Sequence, residues 1–268
     1  FSDILFILES IGMNLHYNPG PIFDKYFDES QLKNVKPIEE VANDLTFQYE
    51  AINLTQKQLP QNKSMVGFVG GPWTLASYAL GINKTNKIQL NSFYEKLVYD
   101  ILIPALKLNI SLQLKAGAEI IYVFDTNSSQ LEKDYFLGRY LKELKNNIFN
   151  SYPGQIAYFT KNKNIMMIEK INESLDIAGY VHNAENNFIQ SIKKNSSGFI
   201  QGNFLSENLA KPFNEFKADL KVFYEKINTL SPSDRSGWIC SLNHGVLPHT
   251  PEENVRYFIN FIRDKFKI

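Results

Sequence analysis

The 268 residues hold 28 Lys plus Arg against 28 Asp plus Glu, a balance that leaves no net field to attract nucleic acid, an anionic membrane or an acidic partner. A hydrophobic content of 44% suits one globular domain with a large core of its own. The single cysteine, Cys240, excludes an intramolecular disulfide and a thiolate-rich zinc site, and it points to a reducing compartment.

No apolar run reaches the ~20 residues of a membrane-spanning helix, and the start lacks a signal-peptide pattern. The expectation is a soluble, cytoplasmic protein. The chain opens on the apolar stretch Phe1-Ser2-Asp3-Ile4-Leu5 and not on Met, so a preceding segment is expected, with a strand ending near Ser2. Helical spacing follows over residues 38–57. Residues 65–70 read as a strand, closed by the loop Gly70-Gly71-Pro72-Trp73-Thr74 with Tyr78 a turn later. Residues 90–116 read as a helix whose Leu97, Ile101, Leu108 and Leu112 share one face, the face expected in the core. A strand over 119–124 ends at Asp125-Thr126-Asn127, and a helix over 131–149 leads to a strand over 155–159 and Thr160-Lys161. Then come a helix over 165–173, a strand over 175–181 ending at His182, a helix over 185–194 and a strand over 198–202 running into Asn203. A helix over 207–230, a strand over 238–242 and the loop Asn243-His244-Gly245 precede the final helix over 252–266. There Thr250-Pro251-Glu252-Glu253 reads as a capping box with Thr250 as N-cap.

Strand and helix thus alternate, and near-continuous apolar strands such as Ile120-Ile121-Tyr122-Val123-Phe124 indicate a parallel sheet covered on both faces. Periodicity leaves two architectures open, a doubly wound sheet and a closed (β/α)8 barrel. No G-x-G-x-x-G follows the first strand and no P-loop occurs, which removes the usual dinucleotide and nucleotide-phosphate readings. No linker or repeat divides the chain, so residues 1–268 are read as a single domain.

In either architecture reactive groups gather at the carboxyl ends of the strands. Those ends carry Asp3, Tyr78, Asp125, Thr126, His182, Asn203 and His244, a polar rim. Each has a plain structural alternative: Gly70-Gly71-Pro72 as a strand-to-helix turn, Asp125 as a cap for the segment after it, Asn243 as a turn residue. His16 and His249 read as surface or satisfied core residues. The four histidines show no H-E-x-x-H spacing, and no metal site is expected.

These residues resemble the uroporphyrinogen decarboxylase family of haem biosynthesis. Phe1-Ser2-Asp3-Ile4-Leu5 is similar to that family's FSDIL segment, and residues 67–78, GFVGGPWTLASY, to its most specific signature. Ala116-Gly117-Ala118, Phe124-Asp125-Thr126, Phe159-Thr160-Lys161, Gln201-Gly202-Asn203 and His244-Gly245 match in the same order. The resemblance implies a (β/α)8 TIM barrel whose first segment lies upstream of residue 1, usually a homodimer. It implies conversion of uroporphyrinogen III to coproporphyrinogen III by loss of four acetate carboxyls, with no metal or organic cofactor and a tetrapyrrole as the small-molecule partner. By that resemblance Asp3 is the central carboxylate that accepts hydrogen bonds from the pyrrole N–H groups. A fixed negative charge there would stabilise the cationic ring formed when an acetate-bearing pyrrole is protonated. Tyr78, Thr126 and His244 are then substrate-binding residues.

The sequence also departs from the family pattern. The arginine-bearing segment resembling R-Q-A-G-R-Y is expected upstream of Phe1, and lysine does not reproduce its bidentate contacts. Asn127, His182 and Asn243 stand where relatives carry other residues. Two further classes stay open: a zinc-dependent methyltransferase of the same superfamily, which looks for cysteine ligands beyond Cys240, and a relative that binds a tetrapyrrole or another polycarboxylate without decarboxylating it.

Overall fold

The computed structural model describes residues 2–82, 90–161, 176–183 and 187–266. They fall into two compact units, one within residues 1–162 and 171–178, the other within 163–170 and 179–268.

The first unit opens with a short helix, α1 (Phe6–Ser10), and an antiparallel hairpin, β1 (Leu15–Tyr17) with β2 (Pro21–Phe23), in the register His16↔Ile22. Period alone does not announce this hairpin, whose one local signal is the Asn18-Pro19-Gly20 turn. The helix expected over 38–57 is two, α2 (Ile38–Asn43) and α3 (Thr46–Gln58). The break follows Asn43-Asp44, side chains that compete for backbone hydrogen bonds, and it drops Leu45 into the core at 1% exposure.

Next come β3 (Val66–Gly70), α4 (Pro72–Ala79), α5 (Ser92–Lys115) and β4 (Ile120–Phe124), then α6 over residues 133–147 and β5 (Ile156–Phe159). β3, β4 and β5 pair in parallel, each with the next, in registers such as Phe68↔Tyr122 and Val123↔Tyr158. α5 is long and apolar enough to cross a membrane, yet 56% of its most apolar window is buried inside the fold, as in a core helix. The core face of α5 is not the one its heptad-like spacing suggests. Residues Lys96–Leu102 are π-helical, and the extra residue per turn rotates everything downstream. Leu97 and Ile101 are buried as expected, but below them Leu106, Ile110 and Gln113 face inward while Leu108 and Leu112 are half-buried.

The second unit runs β6 (Gly179–Val181), α7 (Phe188–Lys194), β7 (Phe199–Gln201), α8 (Ser206–Leu209), α9 (Phe213–Asn228), β8 (Trp238–Ile239) and α10 (Glu252–Phe266). β6, β7 and β8 are again parallel and consecutive. The strand expected from 175 begins at Gly179, and the one expected to reach Leu242 ends at Ile239, with Leu242 making an isolated bridge to Phe204. The expected helix over 165–173 lies outside the described residues. Pro212 divides the one expected over 207–230, because proline cannot continue a helix it does not begin. The last helix starts one residue later than its capping signature suggests. Pro251 carries the first helical carbonyl, accepting from Asn254 and Val255, and the Thr250 hydroxyl makes no capping bond. Phe204, Leu209, Phe216, Leu220 and Ile262 form this unit's core.

In both units each strand pairs with the one next in sequence, every step in the same direction. A doubly wound sheet needs a point where that order reverses, whereas a barrel does not.

Candidate active site

The signature Gly70-Gly71-Pro72-Trp73-Thr74 builds the start of α4, and it does so with residues from elsewhere in the first unit. A helix leaves its first N–H groups without partners. Gly71, at the N-cap, has no side chain to offer, and Pro72 at the first position has no N–H to satisfy. The N–H of Trp73 donates to the Tyr140 hydroxyl at 2.9 Å, and that of Thr74 to Oδ1 of Asp125 at 3.0 Å. The Thr74 hydroxyl donates to the same Oδ1 at 3.0 Å and accepts the N–H of Asn127 at 3.0 Å. The hydroxyls of Tyr140 and Tyr158 donate to Oδ2 at 2.6 and 2.9 Å. Asp125 is fully buried; burial pushes its pKa up, while the bonds from Tyr140, Tyr158 and Thr74 pull against it.

Asp125 therefore does not cap the segment that follows it, as the sequence suggested. Its carboxylate serves the N-terminus of α4, where a negative charge also meets the positive end of the helix dipole. The turn Thr126–Gln130 is closed by the backbone carbonyl of Asp125, which accepts from Ser128 N–H at 3.1 Å. The glycines are there for room: a Cβ on Gly71 would run into the Asp125 side chain, and one on Gly70 would sit 2.8 Å from Leu75 Cδ2 and 3.2 Å from Ile4 Cβ.

Tyr78 stands one turn above Thr74 on α4, 39% exposed. It lines a cavity of about 400 Å³ together with Ile22, Phe23, Tyr26 and Asn127. Thr126, half-buried, directly precedes Asn127, and its carbonyl accepts from the Ser129 hydroxyl at 3.1 Å. Asp3 is half-buried and accepts the N–H of Leu5 on Oδ1 at 2.7 Å. Desolvation, then the nearby Asp3 and the charge of Glu9, push the Tyr17 phenol up to about 12. Tyr17 pairs with Pro21, beside the Ile22 and Phe23 of the cavity wall. Tyr78 and Thr126 are thus tied through Thr74 and Asn127, while the charge of Asp3 acts on Tyr17 of the hairpin that forms the opposite wall. Neither Asp3 nor Thr126 itself lines the cavity. Tyr17, Tyr140 and Tyr158 went unnoticed in the sequence, since nothing local marks a tyrosine as a partner of a distant carboxylate.

In the second unit His244 is exposed, and its carbonyl accepts from the Ser206 hydroxyl at 3.2 Å. Asn243 accepts the N–H of Ser206 at 2.9 Å and so caps α8. His182 is fully buried, with Nε2 3.1 Å from the Ser191 hydroxyl and its ring against Phe188. On the first unit's hairpin, His16 pairs with Asp24 at 3.2 Å on the surface. Among the described residues no group of three His, Cys, Asp or Glu is placed to hold a metal. Burial pushes the Cys240 thiol up to about 12.

Parallel strands taken in sequence order and alternating with helices, with polar groups after their carboxyl ends, define an α/β protein of the (β/α)8 TIM-barrel class. A solved methyltransferase from Methanosarcina mazei has a similar fold, with a TM-score of 0.66 at 19% identity, covering 100% of this chain and 80% of that one. A vitamin-B12-independent methionine synthase from Listeria monocytogenes, so described provisionally, is similar at a TM-score of 0.55 and 15% identity, over 81% of this chain and 68% of that one. The sequence profile of the uroporphyrinogen decarboxylase family matches residues 1–265, and the chain belongs to that family of carboxy-lyases. Among its relatives, a uroporphyrinogen decarboxylase from Campylobacter jejuni is 32% identical over 279 residues, 98% of this chain and 79% of the relative. One from Nautilia profundicola is 31% identical over 284 residues, 98% of this chain and 78% of the relative.

Proposed function

We propose that this protein removes the four acetate carboxyls of uroporphyrinogen III as CO2 to give coproporphyrinogen III, a step of haem biosynthesis in the cytoplasm, and that it does so as a homodimer of a single barrel domain. The observation that carries this reading is the family match over residues 1–265 with a carboxylate, Asp3, in the FSDIL position.

The chemistry needs a fixed anion. Protonation of the pyrrole carbon between the nitrogen and the acetate-bearing carbon makes the ring a cation, which takes up the electron pair of the breaking C–C bond as CO2 leaves and an exocyclic methylene forms. A second proton then converts the exocyclic carbon to methyl, and the ring carbon gives up the first. A carboxylate has about four lone-pair sites. In this reading Leu5 N–H uses one site on Asp3, which leaves acceptor capacity for pyrrole N–H groups and a charge to oppose the cation. Tyr78, Thr126 and His244 would hold the substrate's carboxylates.

The likeness to methyltransferases concerns the fold. Zinc chemistry on this chain would call on Cys240, whose half-buried thiol holds its proton far above neutrality. The test is incubation of the full-length protein with uroporphyrinogen III, followed by chromatography of the oxidised porphyrins. Coproporphyrin is expected, preceded by species that have lost one, two and three carboxyls. Recovery of uroporphyrin alone would sink the reading, and tight binding without conversion would leave the non-catalytic relative in its place.

A further inference from the structure

We infer that Asp125 is a positioning residue for substrate binding: through Thr74 it fixes the turn bearing Thr126 and Asn127 against the helix bearing Tyr78, and so sets the width of the cavity between them. The substrate named in its test rests on the decarboxylase reading above.

The directions of the hydrogen bonds carry the inference. The Asn127 N–H can only donate, so the Thr74 oxygen must accept it and turn its own proton to Asp125. The Trp73 N–H can only donate, so the Tyr140 oxygen must accept it and turn its proton to Asp125. Both relays end on one carboxylate, which also receives the Thr74 N–H and the Tyr158 hydroxyl. Four donors meet an ionised carboxylate's acceptor capacity, and a side chain carrying its own N–H groups would break at least one link. The link between the cavity walls is Asn127 N–H to the Thr74 hydroxyl at 3.0 Å, one helical turn below Tyr78. Asp125 and Thr74 are buried, at 0% and 1% exposure, and neither lines the cavity.

The test compares Thr74→Val, which keeps the shape and removes the hydroxyl, with Thr74→Ser, which keeps the hydroxyl. Steady-state kinetics on uroporphyrinogen III use full-length protein, with kcat referred to folded enzyme. Loss of carboxylate-binding geometry alone raises KM with little change in kcat, so Thr74→Val is expected to raise KM about fivefold or more and Thr74→Ser to return it to within about twofold of wild type. Asp125→Asn is expected to move KM the same way and further. Should these variants not fold, Tyr158→Phe removes one donor to the same carboxylate without touching α4, and a KM rise of about two- to threefold is expected. A lower melting temperature with unchanged KM in an active protein would overturn the inference alone. A wild-type protein that forms no coproporphyrinogen would overturn the functional reading and this inference with it.

Discussion

The N–H of Leu5 lies 2.7 Å from Oδ1 of Asp3, so the carboxylate is held in place by its own chain two residues on. An asparagine keeps an oxygen for that bond but loses the charge and exchanges the other acceptor oxygen for an N–H donor. Asp3→Asn should therefore retain the wild-type melting temperature within a few degrees while kcat falls about 100-fold or more, the scale of losing one electrostatic contact to a transition state. Near-normal coproporphyrinogen formation by this variant would remove Asp3 from the chemistry.

Gly71 and Asp125 occupy adjoining space with no room for a methyl group between them. Gly71→Ala must push the carboxylate away from Thr74 and Tyr140, and overpacking of this kind costs about 1–3 kcal/mol, with lost buried hydrogen bonds in addition. Urea denaturation should show the loss as a lower midpoint at unchanged slope. A midpoint equal to wild type would mean that Asp125 has slack the structure does not show.

Cys240 is a half-buried thiol whose pKa desolvation raises to about 12. Near pH 8 it should react with a chromogenic disulfide on the order of 100-fold more slowly in the folded protein than in urea, because the thiolate is the reactive form. Cys240→Ala should keep decarboxylase activity within about twofold, as expected of a residue outside the chemistry. Abolished activity in a folded Cys240→Ala protein would reopen the metal-dependent reading.

Burial alone pushes the phenols of Tyr49 and Tyr122 up to about 12. A folded pKa above the unfolded value of ~10 means the native chain keeps a proton that the unfolded chain has released, so this stability is complete below pH ~10 and lost as pH rises toward 12. Urea midpoints should be level from about pH 8 to 10 and fall above it, and Tyr122→Phe should make the fall shallower. Level midpoints through pH 12 would contradict the assigned burial.

Much of the fold was legible because its signals are local. Apolar runs such as Ile120–Phe124 bounded by helical spacing located all six described parallel strands, and the ordered motifs from FSDIL to His244-Gly245 pointed to the family. Local signals also misled where one residue of geometry mattered. A π-helical stretch turned the core face of α5 away from Leu108 and Leu112, and Pro212 divided a helix that periodicity alone would run through.

The amino-acid sequence by itself determined that parallel strands alternate with helices and where those strands lie, since period and composition are properties of a short stretch of chain, and its ordered motifs pointed to the barrel family. Only the tertiary structure decided what the side chains at the strand ends do to one another. Asp125 reads as a cap for the next few residues, yet its partners Thr74, Tyr140 and Tyr158 lie 51, 15 and 33 residues away. A buried helix end with no water takes whatever acceptor the packing brings to it, and no window along the chain contains that information.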